Sequence, residues 1–196
     1  MNRRGFLLLM LLVIASLAIY FVYHSSSEKV NDEKPVALMV DDPGDSLGIA
    51  MQTGLGQYYA LTTALTQSDA AEASKVSGVL KQWLDSMPTE QIKANEGLYA
   101  LVTTLVDQSS AAAAVIASNS DIEEQRKQFQ VLSGRLFDML RAVKYNEATV
   151  YEIYCPMAFD NTGATWLSPT NDVNNPYFGS KMMHCGEVRD SIYKRF

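Results

Sequence analysis

From Ser46 to Gln67, apolar side chains recur at three- and four-residue intervals. Met51, Leu55, Tyr58, Leu61 and Leu65 fall on one side of a helix that ends near Ser68. Asp69 and Glu72 then stand at capping-box spacing before a second stripe of Val76, Val79, Leu80, Trp83, Leu84 and Met87, which Pro88 stops. Asn95 to Ala117 repeats the pattern with Leu98, Leu101, Val102, Leu105, Val115 and Ile116, and its SSAAAA run lets a neighbouring helix come close. Ser120 and Glu123 form another capping box. After them Ile122, Gln125, Phe129, Leu132, Leu136, Met139 and Val143 alternate steps of three and four, the pattern of a bundle seam. None of these helices can bury its stripe alone, and short connections favour antiparallel neighbours. The pattern predicts a mainly α fold, an antiparallel up-and-down four-helix bundle over residues 46–145.

The period changes after Val143. Thr149, Val150, Tyr151 and Ile153 read as a strand, and Asp160-Asn161-Thr162-Gly163 is a turn before Ala164-Thr165-Trp166-Leu167. A small β-hairpin with loops is therefore expected over 146–196, with 46–196 forming one folded unit.

At the other end, Arg3 and Arg4 precede an uncharged apolar run from Phe6 to Tyr23, which spans about 27 Å as a helix and just crosses a bilayer. Arginines on its amino-terminal side orient it with residues 1–5 in the cytoplasm and export the chain beyond Tyr23. The expected segment at 1–23 is an inner-membrane anchor with the folded part in the periplasm. A cleavable signal is the alternative, with Ser16-Leu17-Ala18 as its one small-x-small candidate. Residues 24–45, polar and broken by Pro35 and Pro43, read as a linker. The formal charge of -6 becomes -8 once Arg3 and Arg4 are set aside, which opposes nucleic-acid binding because no basic face is left to displace phosphate counterions.

The chemistry gathers in the last segment. Cys155 and Met157 flank Pro156, while Met182, Met183, His184 and Cys185 are packed together before Gly186. Thiolate and thioether sulfur favour Cu(I) with two or three ligands, whereas structural zinc takes four from Cys, His or carboxylate. The competing reading is a Cys155–Cys185 disulfide in an oxidising compartment, worth roughly 3.5 kcal/mol by the chain-entropy account of a loop of about 31 residues. Residue chemistry alone favours the disulfide. Redox cycling of the two thiols is a further possibility, although they lack C-x-x-C spacing. No G-x-S-x-G, H-E-x-x-H or P-loop occurs, so no enzyme activity and no organic cofactor are expected.

The stretches QYYALTTALTQSDAAEAS, DIEEQRKQFQVLSGRLFDML, YCPMA, GATWLS and NPYFGSKMMHCGEV, spread over residues 46–190, resemble a periplasmic domain family of unknown function. That family recurs as the carboxy-terminal part of heavy-metal efflux adaptor (membrane-fusion) proteins. The CPM element with a later Cys-Gly is also similar to the short heavy-metal-binding domain of copper and silver pumps. That domain continues CPM with His and carries a later C-x-x-C-G; here Ala158 follows Met157 and only Cys185-Gly186 matches. The resemblance moves the reading from disulfide to metal. It implies Cys155, Met157, Met182 and Cys185 as contacts to Cu(I) or Ag(I), with Met183 and His184 as substitutes, while Tyr154, Trp166, Asn175 and Phe178 frame the loop by packing. The implied role is metal buffering or handover to efflux pump or adaptor subunits. A non-catalytic envelope interaction domain with a structural disulfide is the alternative.

Overall fold

The computed structural model describes residues 45–194; the expected anchor at 6–23 and all but the last residue of the expected linker at 24–45 lie outside the described residues. Each apolar stripe becomes a long helix: α1 (Asp45–Thr66), α2 (Ala70–Asp85), α3 (Glu96–Ser118) and α4 (Ile122–Ala142). The last three of these helices start where short polar side chains can take up their free N–H groups. Asp69 accepts from Glu72 N at 2.9 Å and Asn95 from Leu98 N at 3.0 Å. At α4 the cap is Asp121, accepting from Glu123 N at 2.9 Å, and not the Ser120 that the spacing predicts. Asp121 is itself held by its N–H on Asn119 Oδ1 at 2.9 Å, which places its carboxylate, one residue later than expected, over the open turn.

The four helices pack against each other along the expected stripes. Met51, Leu55, Tyr58, Leu61 and Leu65 of α1 are buried, as are Gln125, Phe129, Leu132, Leu136 and Met139 of α4. Val79 and Val115 depart from expectation and face solvent. Each lies at the margin of its stripe, where a helix of 3.6 residues per turn carries the side chain past the neighbouring surface. Small polar side chains cross between helices: Ser77 Oγ donates to Ala113 O at 2.9 Å, and Ser74 Oγ to Asn119 O at 2.8 Å. Both satisfy hydroxyls that α2 would otherwise bury unpaired.

Past α4 the chain forms three antiparallel strands, β1 (Val150–Cys155), β2 (Ala164–Ser168) and β3 (Glu187–Ile192), in the order β2-β1-β3. The hairpin of β1 and β2 is the expected one, paired from Tyr151 opposite Ser168 to Cys155 opposite Ala164. β3 is additional. Its EVRDSI sequence lacks an apolar face and owes its strand character to β1 beside it. A bulge between Glu152 and Ile153 shifts its register.

The sheet and the helices share one apolar core, in which Ile153, Trp166 and Leu167 join Phe129 and Leu132. At the junction, the fully buried Tyr58 hydroxyl lies 2.6 Å from Ser133 Oγ on α4 and accepts Leu167 N of β2 at 3.0 Å. The Tyr58 ring stacks on Phe129 at 5.2 Å. Tyr177, also buried, donates to Thr165 O. These phenols supply the outer edge of β2 with the partners that a fourth strand would otherwise provide.

Tyr58→Phe leaves the Leu167 N–H buried without an acceptor and should destabilise the fold by about 1–3 kcal/mol in urea unfolding. Burial also pushes the Tyr58, Tyr59 and Tyr177 hydroxyls well above the ordinary phenol value and Tyr145 up to about 12. Above the unfolded value near 10, the unfolded chain binds fewer protons than the folded one, so stability falls as pH rises. Urea titrations should give a level unfolding free energy from about pH 7 to 9 and a steep decline above about pH 10.

Candidate metal centre

Cys155 is the last residue of β1 and is fully buried, its side chain on the core face with Ile153 as the two-residue strand period requires. Cys185 reaches it through the pairing of β1 with β3. Tyr154 stands opposite Glu187, so the chain entering β3 passes the end of β1 and leaves Cys185 beside Cys155. Gly186 makes that approach possible. A Cβ there would lie 2.8 Å from the Trp166 ring and 3.2 Å from Tyr154 O.

The two Sγ atoms are 2.9 Å apart and both thiols are free. The contact with Cys155, followed by burial, pushes the Cys185 thiol up from its ordinary range, while the Met157 backbone N–H aimed at its sulfur acts in the other direction. The spacing lies between two chemistries. A disulfide bond of about 2.05 Å needs the sulfurs to close by about 1 Å. A metal bound to both, with bonds of about 2.3 Å as in zinc thiolates, needs them to open towards roughly 4 Å. Cys185, half-buried in a loop, is the partner free to rotate.

The other expected ligands divide between two clefts. Met157 and Met182 line one of about 530 Å³ with Glu123, Arg126, Phe159 and Lys181. Met157 is 47% exposed although it follows a buried strand. Met183 points the other way and lines a second cleft of about 420 Å³ with Tyr59, Thr66 and Asp172. His184 is exposed, its Nδ1 3.0 Å from Val173 O. The structure thus brings Cys155 and Cys185 together, puts Met157 and Met182 on one cleft and Met183 on another, and neither cysteine lines either cleft. Among the described residues no three His, Cys, Asp or Glu side chains gather as a metal-holding group, so a zinc-type set is not assembled. Two thiols with one or two thioethers suit a soft monovalent ion.

One wall of the first cleft is held under strain. Phe159, Asp160 and Asn161 adopt left-handed φ values of 50, 56 and 66°, costly for residues with a Cβ. Their turn is over-determined by Gly163 N bonding Ala158 O at 2.9 Å and by the Phe159 ring set edge-on to Tyr177 at 5.4 Å. Opposite, Arg126 is 4% exposed and spends its donors on the loop and on α1: Nε to Pro176 O at 2.8 Å, Nη2 to Leu65 O and Ser68 Oγ, Nη1 to Glu123 at 2.7 Å. Sequence reading missed this clamp. Its signal was an arginine three residues before Phe129 and four after Ile122, on the apolar face where charge needs partners. Trp166 and Asn175 are buried as the framing role implies, with Tyr154 and Phe178 half-buried.

In the reduced protein, an alkylating reagent should modify Cys185 before Cys155. Because the contact with Cys155 and burial raise the Cys185 thiol, the rate should rise about tenfold per pH unit through neutrality and past the ordinary thiol range. Peptide mass spectra taken over time check both; earlier modification of Cys155 would contradict the burial order.

No curated protein and no solved structure matches the chain. Residues 55–148, running from the middle of α1 to just before β1, match the family described as protein of unknown function (DUF3347).

Proposed function

We propose that this chain is a membrane-tethered soft-metal module, binding Cu(I) or Ag(I) through Cys155 and Cys185 with Met157 or Met182 completing the set. Its role is to buffer the ion or hand it to an efflux system. The observation that carries this reading is the meeting of two free thiols 2.9 Å apart; Met157 and Met182, from the same two stretches of chain, share one cleft. The resemblance of residues 46–190 to the domain found in heavy-metal efflux adaptors supports the same direction. Short connections between successive helices support an antiparallel, up-and-down order for the bundle that carries the site. The arginines before the apolar run of 6–23 support an inner-membrane location with the site in the periplasm.

Metal binding must displace the proton that Cys185 holds, so apparent affinity rises with pH. Titrating the full-length reduced chain in detergent with Cu(I) against a competing chelator should give binding more than about tenfold tighter than a Cys155→Ser/Cys185→Ser double variant. The difference should widen by about tenfold per pH unit for each proton released. Equal affinities for the two proteins would sink the metal reading.

The 2.9 Å sulfur spacing also favours a second reading, a non-catalytic envelope interaction domain stapled by a Cys155–Cys185 disulfide. Mass measurement of the native protein before and after alkylation separates the two. A pair that stays fully oxidised in metal-replete cells favours the staple.

A further inference from the structure

The segment that delivers Cys185 has no regular structure of its own from Pro169 to Phe178, yet it ends with a sulfur in contact with a buried partner. On its downstream side the pairing of Glu187 with Tyr154 holds it; on its upstream side other contacts must. Arg126 fixes the segment at Pro176, and Gly179 is pressed against the end of α1, where an added Cβ would meet Thr66 O at 2.7 Å. Neither reaches the residues around Cys185.

Asn175 does. It is fully buried, and its backbone N donates to Met183 O at 2.9 Å while its backbone O accepts Gly179 N at 3.0 Å. Its side-chain Oδ1 accepts Tyr177 N at 2.8 Å and Phe178 N at 3.1 Å. The remaining group, Nδ2, donates to the carbonyl of Cys185 itself at 2.7 Å. One side chain therefore closes a ring from the Arg126-anchored turn to the backbone of the cysteine. The acceptor half builds the turn; the donor half holds Cys185.

We infer that Asn175 is a positioning residue whose amide donor sets the placement of Cys185 against Cys155, and thereby both the ease of disulfide closure and the affinity for a soft metal. The metal half rests on the function proposed above; the disulfide half rests on the sulfur geometry alone. Packing alone does not require an amide. Any buried side chain of similar size would fill the space, but only one with an acceptor and a donor on the same planar group serves both backbones.

Asn175→Asp separates the two roles. A carboxylate keeps the acceptor for Tyr177 N and Phe178 N and removes the donor, setting oxygen against the Cys185 carbonyl. The full-length chain in detergent is equilibrated in glutathione redox buffers, and the thiol–disulfide constant of the Cys155–Cys185 pair is read by alkylation and mass. The reaction is balanced: two Cys thiols and oxidised glutathione give the protein disulfide and two reduced glutathione. Asn175→Asp should lower this constant about tenfold, a shift of about 30 mV for the two-electron couple, with reduced-state helicity unchanged and the oxidised form losing more thermal stability than the reduced form. Asn175→Ala, which loses the turn as well, should also loosen residues 173–185 to proteolysis. A wild-type constant in Asn175→Asp, with the reduced and oxidised forms destabilised equally, overturns the inference. Cu(I) competition on the same proteins distinguishes the two claims. A shifted disulfide constant with no metal binding by the wild-type chain retains the positioning role and removes the metal reading.

Discussion

The edge of a β-sheet has to be answered by hydrogen-bonding partners, and in this protein the answer comes from a tyrosine. The Tyr58 hydroxyl, near the centre of α1, takes the outward N–H of Leu167 and meets Ser133 of α4, so one oxygen ties two helices to the sheet. Because the phenol is buried and its acidity suppressed, it remains an O–H at any ordinary pH and keeps its place in the network. With the edge of β2 fixed in this way, β1 takes its register from β2, and Cys155 takes its depth from β1. The bundle is therefore more than a support for the terminal segment. Its core and the core of the sheet are one.

Cys185 is placed by a different logic. Cys155 sits in regular structure, where a strand period and a buried face leave it a single orientation. Cys185 sits in a loop, where backbone groups without ladder partners must find side chains. Arg126 and Asn175 provide them, and both are polar residues within the apolar interior. Burying a guanidinium is costly unless its donors are satisfied, and here every nitrogen has a partner. The same demand that makes Arg126 expensive to bury makes the loop conformation specific.

This division, one sulfur rigid and one on a held loop, suits the exchange that the proposed metal role would need. On that proposal a soft ion between the thiols would need Cys185 to turn outward by about an ångström, which a loop can do while β1 stays in register. Met157 projects from the strained turn immediately after β1, beside the cleft and two residues from the cysteine it would assist. Strain of this kind persists only where surrounding contacts over-determine it, and the packing of Phe159 on Tyr177 supplies them.

The helices were legible in the chain because their signal is local: a period near 3.6, a capping side chain and a proline stop each act within a few residues. Asp69 and Asn95 cap the helices they were expected to introduce, and the seam from Gln125 to Val143 is buried as its spacing implied. The hairpin was legible for the same reason, through an alternating run and a turn. The cluster of Cys155, Met157, Met182 and Cys185 was visible as an inventory of sulfur. Which of those sulfurs meet was not, since Met182 and Met183 are neighbours in sequence and only the fold sends them to different clefts. β3 escaped notice because its residues carry no apolar alternation, and its strand character comes from β1 alone. Arg126, Ser133 and Asn175 likewise acquire their roles from partners 50, 75 and 10 residues away, through Pro176, Tyr58 and Cys185. Local periodicity determined the elements; the burial of polar groups, a property of the assembled interior, decided how they meet.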